Sequence, residues 1–182
     1  GIGSGSGTNT NFGDITINSG VVEAYGTVGG AGIGGGYETG SGTATGDITI
    51  NGGYVKAFGG SSLTSAGAGI GAGEGAKYGG TITITGGVVY AQSGKEEMAS
   101  IGGGGRIIGD TDHGTFSTGT NGNAVIVAPN GIGANQNASE WDGIFVSYKS
   151  GENSATMDRN GDVTLNDSDA NIQVWGKPVL DY

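Results

Sequence analysis

The feature that most constrains this chain is an internal repeat of alternating β-branched residues. The segment GDITINGGYVKAFGG, at residues 46–60, contains two short strand-like runs separated by a glycine pair. Similar segments, GDITINSGVVEAYG and GTITITGGVVYAQSG, begin at Gly13 and Gly80. The first isoleucines of the three copies are spaced by 33 and 34 residues: Ile15, Ile48 and Ile82. A period of this length is typical of solenoids, in which each repeat is one unit stacked on the next.

A second motif, Gly-Ile-Gly or a close variant, recurs in step with the first, at Ile2, Ile33, Ile70 and Ile101. Alternation with period two indicates strands, and frequent glycine makes long helices unfavourable. Each repeat thus supplies three short strands: the Gly-Ile-Gly, Ile-Thr-Ile and Val-x-Ala strands. The sequence therefore predicts an all-β fold, a right-handed parallel β-helix of about four to five coils with an irregular β C-terminal cap.

The repeat degrades along the chain. We predict a single β-helix domain over residues 1–182, with regular coils at 1–105 and degenerate coils and a cap at 106–182. Cap strands are predicted at 124–128, 143–148, 162–166 and 172–175. The chain starts in mid-repeat without Met, so we expect a module of a longer secreted or cell-surface protein, covalently linked to neighbouring domains.

The composition and charge of the chain limit the classes of partner that it can bind. The net charge is −10 with only seven Lys and Arg residues, which disfavours nucleic acid and anionic membranes because both need clustered positive charge. No apolar run approaches the length of a membrane span. Without cysteine, disulfides and thiolate metal sites are impossible. No cofactor is expected, apart from the calcium considered below.

Stacking of the repeats predicts one outer strip of aromatic and polar side chains on the Val-x-Ala strands. Its members are Glu23, Tyr25, Tyr54, Lys56, Phe58, Tyr90 and Gln92. Aromatic rings pack on the apolar faces of sugars, and the polar groups bond sugar hydroxyls. The coil spacing of ~4.8 Å is also close to the length of one sugar residue. We therefore predict a carbohydrate-binding strip; the alternative is that these aromatics only favour β structure or lie beneath a loop.

A threonine column on the Ile-Thr-Ile strands, Thr16, Thr49 and Thr83, suggests an ice-binding solenoid. Only one coil carries paired threonines, and the neighbouring Asp14 and Asp47 would disturb an ice-like water array. The alternative is a solvated face on which asparagine side chains form a hydrogen-bonded ladder.

A possible calcium loop lies near the C-terminus. Its oxygen-bearing residues have the spacing of a calcium loop and resemble that of dockerin modules: Asp158, Asn160, Asp162, Asn166 and Asp169. Val163 stands where such loops have glycine, so a cap strand is the other interpretation. The one acidic–imidazole cluster, Asp110, Asp112 and His113, lacks the partners of a zinc site or catalytic triad.

The motifs AGIGGG at residues 31–36 and GDITINGG at 46–53 resemble arrays in large extracellular proteins of gut anaerobes. The resemblance covers about residues 1–105. The chain is also similar to β-helix carbohydrate-binding modules attached to enzymes that degrade plant polysaccharides, including xylan. The resemblance implies a right-handed parallel β-helix and a non-catalytic module that binds a plant cell-wall polysaccharide, with xylan favoured, and targets an attached enzyme. It transfers no binding residue by motif.

Two other functions stay open. A structural or adhesive surface stalk would use the solenoid only for length. Catalysis by a β-helix lyase or hydrolase would need acids clustered in a groove, whereas Asp110, Asp112 and Glu140 are scattered. We therefore predict that the chain is not an enzyme. Fold alone does not choose among these functions.

Overall fold

The computed structural model describes most of the first 132 residues and the backbone of several later strands. The described residues are 1–38, 42–96, 98–104, 113–119, 123–132, 135–136, 143–147, 155–157, 163–165 and 171–175. Side chains are described up to residue 132, with the exception of His113. Within these ranges the chain forms strands and turns and no helix.

The strands are short, as glycine-punctuated alternation predicts. In chain order they are β1 (Ile2–Gly3), β2 (Ile15–Ile17), β3 (Val21–Tyr25), β4 (Ile33–Gly34), β5 (Thr43–Ala44), β6 (Ile48–Ile50), β7 (Tyr54–Phe58), β8 (Ile70–Gly71), β9 (Lys77–Ile84), β10 (Val88–Gln92), β11 (Ile101–Gly102), β12 (His113–Ser117), β13 (Ala124–Val127), β14 (Asn135–Gln136), β15 (Gly143–Ser147), β16 (Ala155–Met157), β17 (Val163–Leu165) and β18 (Asn171–Trp175).

Three sheets run along the stack, one for each strand type of the repeat. The Gly-Ile sheet has the order β1-β4-β8-β11, the threonine sheet β2-β6-β9-β12-β14, and the valine sheet β3-β7-β10-β13-β15-β18. Strand β5 also pairs with β9. All pairs in these sheets are parallel except β15 with β18. The molecule is therefore a parallel β-solenoid, and the predicted fold class is confirmed.

The register of the sheets places equivalent residues of successive repeats side by side. Ile15 pairs with Ile48 and Ile48 with Ile82, while Val22, Val55 and Val89 align in the valine sheet. The members of these columns in the second and third turns are completely buried. These columns form the predicted apolar interior, which stacking of neighbouring turns excludes from water.

Glycine is required where the Gly-Ile strands turn. Gly34 has φ +126°, and a Cβ there would lie 2.0 Å from the carbonyl oxygen of Gly71. The equivalent glycines of the other turns, Gly3, Gly71 and Gly102, have φ between +117° and +134°. Only glycine combines this conformation with such close backbone approach, which explains why the Gly-Ile-Gly motif recurs.

The solenoid has about three regular turns, formed by β1–β3, β4–β7 and β8–β10. Strand β11 carries the last Gly-Ile motif, and strands β12–β15 extend the threonine and valine sheets without the repeat motifs, so each sheet has four or five parallel strands. The predicted four to five coils therefore match the number of parallel strands in each sheet, but not the number of regular turns.

Beyond these strands the pairing changes direction. β18 pairs with β15 antiparallel, and β16 and β17 form an antiparallel pair. Strands are present at or within a residue of all four predicted C-terminal positions. The division of the domain at residue 105 stays a prediction.

Candidate functional site

The predicted outer strip lies on three neighbouring strands of the valine sheet, β3, β7 and β10. Glu23 pairs with Lys56 and Lys56 with Tyr90. Tyr25 pairs with Phe58 and Phe58 with Gln92. The alternate residues of β7 and β10, which include Val55 and Val89, are fully buried in the interior. Because side chains alternate along a strand, the strip residues point away from the core, as the sequence predicts.

Three rings of the strip pack against one another along the stack. The Tyr25 and Phe58 rings are 4.9 Å apart between centroids and nearly parallel, with planes inclined by 9°. The Tyr90 ring lies 5.5 Å from Phe58 and is tilted by 43°. The first distance is close to the ~4.8 Å spacing of the coils, so the rings stand on edge and cover each other's faces. A sugar chain therefore cannot lie flat along the row.

One ring of this row has a face that no other strip residue covers. Tyr25 lies on β3, the end strand of the valine sheet, and is 55% exposed. Its face opposite Phe58 points away from the stack, towards the N-terminal end. Tyr25 thus has the most exposed ring of the strip.

Tyr54 does not offer a comparable surface. Its position on the outer side agrees with the register, since it pairs with the exposed Val21. However, only 8% of Tyr54 is exposed, and the Lys56 ammonium lies 5.4 Å from the centre of its ring. The Tyr54 ring is therefore buried rather than exposed, and its part in sugar binding stays a prediction.

The polar residues of the strip interact with each other at the surface. Lys56 Nζ and Glu23 Oε1 are 3.8 Å apart, and the Tyr25 hydroxyl donates to Glu23 Oε2 at 3.4 Å. The Tyr90 hydroxyl donates to Gln92 Oε1 at 2.9 Å. Such exposed pairs add little to stability, but they place hydrogen-bond donors and acceptors beside the rings.

The threonine face has a different character. Thr16, Thr49 and Thr83 are in register, and an asparagine ladder runs beside them. Asn51 Nδ2 donates to Asn18 Oδ1 at 2.9 Å, and the Thr85 hydroxyl donates to Asn51 Oδ1 at 3.0 Å. The ladder of the alternative interpretation is therefore present, and ice binding stays a prediction.

The aspartates beside this threonine column bond to the backbone of the following turn. Asp14 Oδ1 accepts from the Asp47 amide at 3.1 Å, and Asp47 Oδ1 from the Thr81 amide at 2.8 Å. Both side chains therefore link successive turns by hydrogen bonds, and they also give this face a negative charge.

The predicted calcium ligands lie outside the described residues: Asp158, Asn160, Asp162 and Asp169. The same holds for Asp110, Asp112 and the side chain of His113. Within the described part, no group of three or more His, Asp or Glu side chains is arranged to hold a metal ion.

Tyr78 shows a buried feature that sequence reasoning missed. Its ring is 1% exposed and packs parallel to Phe12 at 6.2 Å, and its hydroxyl donates to the Gly46 carbonyl at 2.7 Å. Burial raises the pKa of this phenol above its ordinary value, and the negative charges of Asp47 and Asp14 act in the same direction. No repeat pattern marked it, because Tyr78 lies between the Gly-Ile motif at Ile70 and the Ile-Thr-Ile motif that begins at Ile82.

A cleft at the corner of the first turn was also missed. It has a volume of about 280 Å³ and lies between the segment at residues 1–6 and the corner that follows β3. Its walls include Ile2, Ser4, Ser6, Thr27, Val28 and Tyr37. In the sequence, Tyr37, which follows the AGIGGG motif, is the residue that could have indicated this cleft.

Comparison with protein families supports the repeat assignment. The family model for the beta helix repeat matches the chain at residues 15–37, 48–74 and 82–105. These segments are the strands and corners of the regular turns described above. The chain therefore carries a β-helix repeat module.

Comparison with curated proteins and with solved structures gave no match. In the described part of the chain, no helix has the length and apolar character to cross a membrane.

Proposed function

We propose that this β-helix is a non-catalytic carbohydrate-binding module for a plant cell-wall polysaccharide, with xylan favoured. The proposal includes an extracellular location and neighbouring domains in a longer protein that the module targets to its substrate. The observation that carries it is the exposed ring of Tyr25 at the end of the outer strip, with Glu23 beside it. Such a ring and carboxylate match the apolar face and the hydroxyls of a sugar.

The negative charge of the chain limits the classes of polysaccharide that it can bind. The net charge of −10 and the exposed Asp14, Glu23 and Asp47 repel polyanions such as unesterified pectin. A neutral polysaccharide has no such penalty. This argument supports xylan and cellulose over pectin.

Affinity gel electrophoresis against xylan, cellulose, pectin and mucin tests the proposal. We expect retardation by xylan that is lost in Tyr25→Ala and kept in Val21→Ala. Val21 is the matched control because it lies on the same strand and the same outer side, is 59% exposed and has no ring. Absence of retardation on every polymer would reject the proposal.

A structural or adhesive stalk is the second candidate function. The observation in its favour is that Phe58 packs against Tyr25 and Tyr90, so that most of the aromatic row joins turn to turn. A stalk would keep its function in Tyr25→Ala, and adhesion of the parent protein to its target surface measures this directly.

A further inference from the structure

In the described part of the chain, Asn51 and Asn130 are the asparagines that precede a glycine. Asparagine is a thermolabile residue, because the backbone nitrogen of the next residue can attack its side-chain amide carbon. Glycine favours this attack, since it has a flexible backbone and no Cβ that obstructs the approach. The sequence therefore offers two equivalent candidates for deamidation, and the structure distinguishes them.

Asn51 lies at an exposed corner between the threonine sheet and the valine sheet. It directly follows β6, and the glycine pair after it leads into β7. Within the described structure the Gly52 amide donates no hydrogen bond, so no such bond has to break before its nitrogen attacks. The reacting groups are neighbours in the chain, and this proximity makes an intramolecular attack efficient.

The Asn51 side chain is held by two hydrogen bonds of the asparagine ladder. Its Nδ2 donates to Asn18 Oδ1 at 2.9 Å, and its Oδ1 accepts from the Thr85 hydroxyl at 3.0 Å. Both bonds are exposed, so water can replace a lost partner and the net cost of breaking them is small. The ladder therefore slows the rotation that brings the amide carbon to the Gly52 nitrogen but does not prevent it.

At Asn130 both reacting groups are occupied. Its Nδ2, the leaving group, donates to Ser93 Oγ at 2.6 Å and to the Lys95 carbonyl at 2.8 Å. The Gly131 amide, the nucleophile, donates to the Ala128 carbonyl at 2.9 Å. Asn130 Oδ1 is buried, so water does not reach this end of the amide. All three hydrogen bonds must break before the reaction, which makes Asn130 the slower of the two.

We infer that Asn51 is a site of spontaneous deamidation. The Gly52 nitrogen forms a bond to Asn51 Cγ, the Cγ–Nδ2 bond breaks, and the Gly52 proton leaves with Nδ2 as ammonia, which gives a cyclic imide. Water then adds to one of the two imide carbonyls, and the ring opens to aspartate or isoaspartate at position 51. Water is the only co-reactant, and nothing is oxidised or reduced. The inference does not rest on the proposed function.

Both products disrupt the ladder. A carboxylate oxygen replaces the Nδ2 donor of Asn51, so two acceptors face each other at the contact with Asn18, and one of them loses its hydrogen bond. The new negative charge also lies on the threonine face, which already carries Asp14 and Asp47. Like charges on one face repel each other, so this change weakens the stacking of the turns.

Isoaspartate has the larger effect, because its backbone passes through the side-chain carbon and is longer by one atom. The corner is tightly packed: the Tyr54 amide donates to the Gly20 carbonyl at 2.8 Å, and a Cβ on Gly53 would lie 2.6 Å from the same oxygen. A longer backbone therefore displaces the start of β7, the strand that carries Lys56 and Phe58 of the strip. Deamidation at this corner thus loosens the second turn from the first.

Peptide mass spectrometry after incubation of the folded protein in mildly alkaline buffer tests the inference. Asn51 should be converted at least about tenfold faster than Asn130, because fewer and more exposed hydrogen bonds must break. Labelling with an isoaspartyl methyltransferase identifies the isoaspartate product. Asn51→Gln is the matched control: it keeps an amide at the corner, but its longer side chain disfavours the cyclic imide, so the label at position 51 should disappear.

Asn18→Ala separates the effect of the structure from that of the sequence. It removes the acceptor of Asn51 Nδ2 and keeps the Asn-Gly pair, so conversion should be about threefold faster than in the wild type. A peptide of residues 46–56, which has no ladder, should react fastest. Circular dichroism checks that each protein stays folded. Equal rates at Asn51 and Asn130, a folded protein that stays unconverted while the peptide reacts, or an unchanged rate in Asn18→Ala would overturn the inference.

Thermal unfolding provides a second measurement. The isoaspartate fraction of aged protein should unfold at a lower temperature than the unconverted fraction. Asn51→Asp should be destabilised less, because it adds the charge without lengthening the backbone. Equal unfolding temperatures for the isoaspartate and unconverted fractions would contradict the structural effect at this corner.

Discussion

The first and second turns of this solenoid have nearly the same sequence and different environments. Ile48 and Val55 in the second turn are completely buried, whereas the equivalent Ile15 and Val22 are only half-buried. The strands of the first turn, β1, β2 and β3, each end their sheet. The difference shows that a repeat acquires its stability from its neighbours rather than from its own residues.

The largest expected difference between the two turns is in the core. Ile48→Ala should lower the free energy of unfolding by about 3–4 kcal/mol, because it leaves a cavity between two packed turns. Ile15→Ala should lower it by less than half as much, since that side chain already contacts water. Urea denaturation measures both, and equal losses would mean that the first turn is as well packed as the second.

Substitutions at two separate glycines extend the same comparison to the backbone. Gly34→Ala should destabilise by about 2–3 kcal/mol, because φ +126° is strained for alanine and its Cβ would meet the Gly71 carbonyl. Gly5→Ala in the first turn should change stability by no more than about 0.5 kcal/mol. Thermal unfolding followed by circular dichroism separates the two; a neutral Gly34→Ala would refute the close stacking of the Gly-Ile strands.

How far the sequence predicts this structure depends on the element. The pairings of Ile15 with Ile48 and of Glu23 with Lys56 follow from the repeat alone, because one alignment of the motifs determines every column. The strip was therefore found in register. Its ring geometry was not predictable, since whether Tyr25 and Phe58 lie flat or on edge depends on side-chain rotamers.

The elements that the sequence did not predict lie where the repeat is irregular. Tyr78 lies between the Gly-Ile and Ile-Thr-Ile motifs, and its ring packs against the distant Phe12. The cleft is formed by Tyr37 and by residues near Gly1 that lie a full turn away. No periodic pattern encodes such contacts, because they arise between segments that do not repeat.

A third prediction concerns pH and the irregular part of the interior. The raised pKa of Tyr78 means that the unfolded chain loses this proton first, so stability should be complete below about pH 10 and decline above it. Tyr78→Phe should remove this alkaline decline and cost about 1 kcal/mol at neutral pH through the lost hydrogen bond to Gly46. Unfolding measured from pH 8 to 11.5 tests this; an identical alkaline slope in the variant would contradict it.

The smallest expected difference between two variants is that between two rings of the strip. Phe58→Ala should destabilise by about 1–2 kcal/mol, because it removes two ring contacts, and Tyr25→Ala by about 0.5–1 kcal/mol, because it removes one. Chemical denaturation of the two variants checks the order. The reverse order would show that the row does not join the turns as described.

The central claim is that a sugar stacks on the exposed ring of Tyr25, and a binding measurement tests it most directly. Calorimetric titration of a xylan oligosaccharide into the wild type, Tyr25→Ala and Val21→Ala should give an affinity at least tenfold weaker for Tyr25→Ala alone, a difference of about 1.4 kcal/mol. Equal affinities in all three proteins, or an equal loss in both variants, would contradict the account.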